Sequence, residues 1–174
     1  MQVRINMKKT TIAIISIGLF FSQAPAYAYI QTTFNGVVTG VHDGDSLTVI
    51  NELGAREKIR VHRIDSPEMP YCFAGKCVPL QPYAIQARDA LKTLCLGKAT
   101  TITRKGLSGT RTVGTVKCQG LDVGTYQLKN GNAWVYRYTS TIAARRTQSS
   151  AEGLSLGLWA SPHVEPYLWR RGFR

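Results

Sequence analysis

An α+β fold, a five-stranded β-barrel with about three helices, is what this 174-residue sequence predicts. Three observations carry it. Residues 34–64 hold three short apolar runs separated by Gly-containing turns, residues 82–97 repeat apolar side chains at helical spacing, and two further β-type runs follow before residue 118.

Taken in order, Val37, Val38 and Val41 mark the first strand, Leu47, Val49 and Ile50 the second, and Ile59 and Val61 the third. This is a three-stranded meander. Its first turn, Asp43-Gly44-Asp45, is a hairpin signal, because Gly takes positive φ and the flanking carboxylates tolerate or cap such turns. Pro82 is expected in the first turn of a helix whose apolar positions Ala84, Ala87, Leu91, Leu94 and Cys95 recur at three and four, with Gly97 as its stop. Strands over 99–104 and 112–118 flank a loop holding Gly106, Ser108 and Gly109. Asp122 can cap a short helix ending near Gly131, and residues 142–156 read as a terminal helix interrupted by Gly153. Beyond Trp159, prolines and arginines predict a tail that wraps the surface. There is no internal repeat and no domain linker. Five strands with a helix between the third and fourth match the OB-fold barrel, a frequent platform for oligonucleotides, although fold alone does not give function.

The first residues bear on compartment. Lys8 and Lys9 precede an apolar run over 12–21 and then Ala26-Tyr27-Ala28, the layout of a bacterial secretory signal peptide. The run is shorter than the roughly 20 residues that cross a bilayer. No Cys lies near the cleavage site, which argues against a lipoprotein. Met7 can begin a conventional signal by itself. The expectation is therefore a signal peptide over 1–28 and a single domain over 29–174, exported to the periplasm or the medium, monomeric and without a membrane anchor.

Without Arg4, Lys8 and Lys9, the 22 basic residues become 19 against 10 acidic ones, a net charge of +9. Such a surface concentrates polyanions, so nucleic acid is the natural partner, ahead of anionic lipid or glycan. Six of the ten acidic residues, Asp43, Asp45, Glu52, Glu57, Asp65 and Glu68, fall between positions 43 and 68. An acidic pocket in a basic protein suggests a bound cation.

Export makes the four cysteines candidates for disulfides. Cys72 and Cys77 enclose only four residues and are expected to pair, while Cys95 and Cys118 are left to each other or free; three connectivities are formally possible. A zinc site has little support, since Cys95 and Cys118 stand alone and no His pair is nearby.

The chemistry centres on Asp43-Gly44-Asp45-Ser46 and on the stretch from Arg60 through Asp65-Ser66-Pro67-Glu68. Two carboxylates from separate strand ends can meet around a hard cation, which prefers oxygen ligands. Asp45 and Asp65 are the candidates, with the Ser66 carbonyl as a third ligand, water or phosphate oxygens completing the set, and Asp43 behind them. Phosphodiester hydrolysis requires charge on the nonbridging oxygens to be neutralised, for which a metal and a positioned Arg60 are suited. Glu68 follows a Pro that fixes the turn, so its carboxylate can face the metal and take a proton from water. Each motif also has a structural reading: Asp-Gly-Asp is a common turn, Arg60 can pair with Glu57 across the sheet, and Ser-Pro-Glu is a common helix start. Their co-occurrence favours chemistry.

These segments resemble the staphylococcal nuclease (thermonuclease) family, whose pattern has Asp-Gly-Asp-Thr, then Arg, then Asp-(Ala/Thr)-Pro-Glu. Gln81-Pro82-Tyr83, Arg111-Thr-Val-Gly, Gly131-Asn-Ala-Trp-Val-Tyr-Arg137 and Gly157-Leu-Trp159 resemble further family signatures in order, so the likeness runs over about 34–159. The resemblance implies an OB-fold endonuclease with a calcium ion (Ca2+) held by Asp45, Asp65 and the Ser66 carbonyl. It implies that Arg60 and Arg111 bind the scissile phosphate, that Glu68 is an essential carboxylate, and that products end in 3′-phosphate and 5′-hydroxyl. One departure stands out. Relatives reach the second arginine through Asp-x-Tyr-Gly-Arg, whereas here the stretch is Leu107-Ser108-Gly109-Thr110-Arg111, and Arg111 is placed by the Thr-Val-Gly after it.

Trp134, Tyr136 and Tyr138 can stack bases or fill the core. His62 reads as a strand histidine rather than a base, and Arg145-Arg146 and Arg170-Arg171 as solvated charge with some attraction for phosphate. A non-catalytic OB-fold module that only binds nucleic acid is the alternative function; the joint presence of Asp45, Asp65, Glu68, Arg60 and Arg111 favours the enzyme.

Overall fold

The period-2 pattern of the first strand is what wraps it onto a core, with Phe34 and Val38 buried and Thr33, Asn35 and Val37 turned outward. The computed structural model describes residues 32–174. The expected signal segment lies outside the described residues. Five strands build the barrel: β1 (Thr33–Val41), β2 (Ser46–Asn51), β3 (Arg56–Val61), β4 (Ala99–Ser108) and β5 (Arg111–Cys118). They run in the order β3-β2-β1-β4-β5 with antiparallel neighbours. A parallel pairing of β3 with β5, with Arg60 opposite Val113, closes the sheet. Closure leaves no free sheet edge there and makes the mixed five-stranded barrel of an OB-fold. Leu47, Val49, Ile59, Ile102 and Val116 fill it with no side-chain exposure.

The fourth and fifth strands are longer than expected. β4 continues through Ser108, leaving only Gly109 and Thr110 in the turn, with Gly109 at φ 59°. The register shifts between Arg104 and Gly106, so an extra residue is absorbed as a bulge. That bulge breaks the alternation and explains why the sequence pattern stops at Arg104.

α1 (Ala84–Cys95) buries the five expected apolar positions, and Gly97 (φ 72°) follows it. Pro82 lies before the helix rather than in its first turn, because Tyr83 is the N-cap in a left-handed conformation (φ 69°). α2 (Val123–Lys129) is capped by Asp122, whose side chain accepts from Thr125 N at 2.8 Å. α3 (Ile142–Gly153) starts at a Thr141 cap and packs on α2. A four-residue helix, α4 (Pro166–Trp169), sits in the C-terminal segment, and Trp169 is buried there.

Two disulfides brace these elements. Cys95–Cys118 ties the end of α1 to the end of β5. Cys72–Cys77 closes a small hairpin of Tyr71–Phe73 and Lys76–Val78 that follows Glu68. Among the described residues no cysteine is free, and no helix is long and apolar enough to cross a membrane.

Candidate active site

The loop between β1 and β2 is held by its own side chains. Asp45 N donates to Asp43 Oδ1 at 2.8 Å, and Val61 N donates to Asp45 O at 2.7 Å, which moors the loop to the end of β3. Gly44 has no positive φ, contrary to the turn reading. Close approach requires it instead: a Cβ there would meet Ser66 Cβ at 2.8 Å and Ala87 Cβ at 3.0 Å. The Gly44 carbonyl accepts from the buried Gln127 side chain at 2.7 Å. Asp65 sits in a two-residue strand, Ile64–Asp65, paired with Trp134–Val135.

These constraints bring Asp45 and Asp65 onto one guanidinium. Arg60 donates from Nη1 to Asp45 Oδ1 at 3.1 Å and from Nη2 to Asp65 Oδ1 at 2.6 Å. Asp45 also accepts from Ser46 Oγ at 2.9 Å and, on its other oxygen, from Ser66 N at 2.9 Å. Arg111, at the start of β5, reaches the same group through Ser46, donating to its Oγ at 3.3 Å. Asp45, Arg60, Glu68, Arg111, Tyr136 and Arg170 face a cleft of about 570 Å³. The structural alternative, a pairing of Arg60 with Glu57, does not occur, since Glu57 takes Arg104 at 2.6 Å.

Sequence reasoning missed Arg170. It is no solvated surface charge: Nη2 donates to Asp65 Oδ2 at 3.0 Å, and Nη1 donates to both Asp65 Oδ1, at 3.3 Å, and Glu68 Oε1. The tail therefore reaches into the cleft instead of only wrapping the surface. No local motif announces this, because Arg170 stands 105 residues from Asp65. Arg145, by contrast, donates to Ser140 on the exposed surface, as a solvated charge does.

Electrostatics follow from burial. Burial pushes the Asp45 carboxyl up to about 7 against the pull of Arg60, and repulsion from Asp43 and Asp65 adds to it. Asp45 in turn holds Arg60 firmly charged. Burial also raises Glu68, with Arg170 opposing. For Arg170 itself burial works against the charge, but hydrogen bonding and attraction to Asp65 and then Glu68 outweigh it.

A hard cation fits this set, because the donors are all oxygens and Asp45 and Asp65 already converge on a positive group. Among the described residues no group of three or more His, Cys, Asp or Glu side chains is arranged to hold a metal. Two carboxylates would thus need a carbonyl, water and substrate oxygens to complete a coordination shell.

The aromatic residues divide. Trp134 is core, 6% exposed, against Trp159. Tyr136 faces the cleft with the Arg60 guanidinium 5.8 Å from its ring centroid, and it makes a T-shaped contact with the exposed Tyr138. His62 lines two other cavities, one of which adjoins the cleft through Arg60, Ser108 and Tyr136, and does not line the cleft itself.

Known proteins share this chain's pattern. The family model described as staphylococcal nuclease homologue matches residues 58–161. An uncharacterized endonuclease of Haemophilus influenzae is 30% identical over 137 residues, covering 77% of this chain and 71% of the relative. An uncharacterized endonuclease of Escherichia coli is 31% identical over 141 residues, covering 78% and 84%. A probable staphylococcal-like nuclease of Oryza sativa subsp. japonica is 34% identical over 125 residues, which is 70% of this chain but only 30% of that longer protein. On its fold, its cleft and these matches, the chain belongs to the family of staphylococcal nuclease homologues.

Proposed function

We propose that this protein is an exported, calcium-dependent nuclease that hydrolyses phosphodiester bonds of DNA or RNA and leaves 3′-phosphate and 5′-hydroxyl ends. The observation that carries the reading is the convergence of Asp45 and Asp65 on Arg60, with Asp45, Arg60 and Glu68 lining one cleft. Family membership and the endonuclease names of the relatives support the nuclease itself.

In this reading Asp45, Asp65 and the Ser66 carbonyl hold the cation, which when bound supplies positive charge to the phosphate and to the attacking water. Arg60 moves from neutralising the two carboxylates to binding a nonbridging phosphate oxygen, its planar fork being suited to that anion. Arg111 takes a second phosphate oxygen from the rim, with Ser46 as its present partner. Glu68, raised by burial yet still ion-paired, accepts the proton of water or holds that water in line. Tyr136 and the exposed Tyr138 offer a stacking surface for a base next to the phosphate. The two disulfides and the signal-like first residues support an oxidising destination.

The test is cleavage of single- and double-stranded DNA and RNA by the purified mature protein with calcium, with identification of the product ends. Cutting that yields 3′-phosphates supports the reading. Binding without cutting any of the four substrates would favour the non-catalytic module.

A further inference from the structure

Glu68 is held from two sides. Its backbone is joined to Gln81 by two hydrogen bonds: Glu68 N donates to the side-chain Gln81 Oε1 at 3.0 Å, and Gln81 N donates to Glu68 O at 2.9 Å. Gln81 is 2% exposed, and its Nε2 donates onward to Val164 O at 2.6 Å, so the same side chain grips the C-terminal segment. Five residues later that segment is pinned again, where Trp169 Nε1 donates to Pro79 O at 2.9 Å. Arg174 covers the Trp169 ring, with its guanidinium 4.2 Å from the ring centroid. Between these anchors and the cleft stands Arg170, whose fork spans the Glu68 and Asp65 carboxylates.

We propose that the C-terminal segment is part of the active site and that Arg170 is a positioning residue: it bridges Glu68 to Asp65 and fixes the Glu68 carboxylate where water is activated. This rests on the nuclease reading above. A carboxylate on a loop is free to rotate about its side-chain bonds, and each rotamer away from the reacting water is unproductive. A bridging guanidinium removes that freedom, because its rigid planar fork addresses two carboxylates in one fixed geometry. Gln81 bonds Glu68 on one side and Val164 on the other, and Trp169 bonds Pro79, so residues 79–81 couple the loop carrying Glu68 to the segment carrying Arg170. Arg170 is the only arginine beyond residue 111 that faces the cleft among the described residues.

The experiment compares wild type, Arg170→Ala and Arg170→Lys in calcium by steady-state cleavage, thermal melting, and titration of calcium alone into the metal-free protein. Loss of a partner that orients a reacting group costs about 10–100-fold in activity. Arg170→Ala should lower kcat on that scale with KM little changed and calcium affinity not weakened. Arg170→Lys should recover part of kcat, since one charge returns without the fork. Melting within a few degrees of wild type would exclude general unfolding, and a collapsed Arg170→Ala would leave Arg170→Lys to be judged by the same kcat loss at unchanged KM. An unchanged kcat overturns the proposal. So does a raised KM at constant kcat, which would make Arg170 a substrate-binding group. A raised kcat with tighter calcium binding would make Arg170 an inhibitory plug and also overturns it. A wild type that cleaves no nucleic acid would sink the nuclease reading and this inference with it, whereas an active wild type with an equally active Arg170→Ala sinks the inference alone.

Discussion

Gln81 and Glu68 are joined by two hydrogen bonds, one using the Gln81 side chain and one using backbone only, and so the start of α1 is tied to the loop that carries the candidate base. Gln81→Ala removes a buried acceptor for Glu68 N and a buried donor to Val164 O. Stranding those groups should cost about 1–3 kcal/mol of stability. Denaturant unfolding measures that cost, and turnover should fall with it because Glu68 and Arg170 lose their shared anchor. A stability equal to wild type would remove Gln81 from this role.

Glu68→Gln keeps the shape of the side chain and removes its ability to accept a proton. Turnover should fall by at least about 10²-fold while the melting temperature and calcium affinity stay near wild type. Near-normal activity in the folded variant would take Glu68 out of the mechanism.

The two arginines of the cleft should differ. Arg60 contacts both candidate metal ligands directly, whereas Arg111 reaches Asp45 alone, through Ser46. Arg60→Ala leaves two carboxylates without their shared counter-charge and should lower both calcium-free stability and activity. Arg111→Ala should lower kcat/KM with stability preserved. Paired melting curves and cleavage rates for the two variants check the contrast, which equal stability losses would contradict.

Cys95–Cys118 links α1 to β5 across 23 residues of sequence. Replacing both by Ala should cost about 3 kcal/mol in unfolding free energy by the chain-entropy argument. Chemical denaturation of the double variant measures it, and peptide mapping should find Cys72 and Cys77 joined in the same protein.

The barrel and the candidate carboxylates were legible because they are local. Val38, Leu47 and Ile59 each belong to a short apolar run within its own strand, and Asp45, Asp65 and Glu68 lie in short motifs at or just beyond strand ends. Arg111 was harder, since the residues before it depart from the family pattern and only the long β4–β5 hairpin delivers it to the cleft. Gly44 was recognised as a turn glycine for the wrong reason, because crowding by Ser66 and Ala87 arises between segments distant in sequence. Arg170 was not legible at all. Its role comes from tertiary anchors at Gln81 and Pro79, and an Arg-Arg pair near a chain end carries no local signature.

We propose that a divalent cation shared by Asp45 and Asp65 makes this cleft cut nucleic acid. Two carboxylates and a carbonyl on strand ends suit calcium, which tolerates irregular geometry, better than magnesium, which demands a tight octahedron. The decisive measurement is cleavage of single-stranded DNA by the purified protein after chelation and after return of each metal, with Asp45→Ala alongside. Activity should vanish with chelator, return with calcium, return poorly with magnesium, and be absent in Asp45→Ala under all conditions. Cleavage that survives chelation in the wild type, or that persists in Asp45→Ala, would contradict the account.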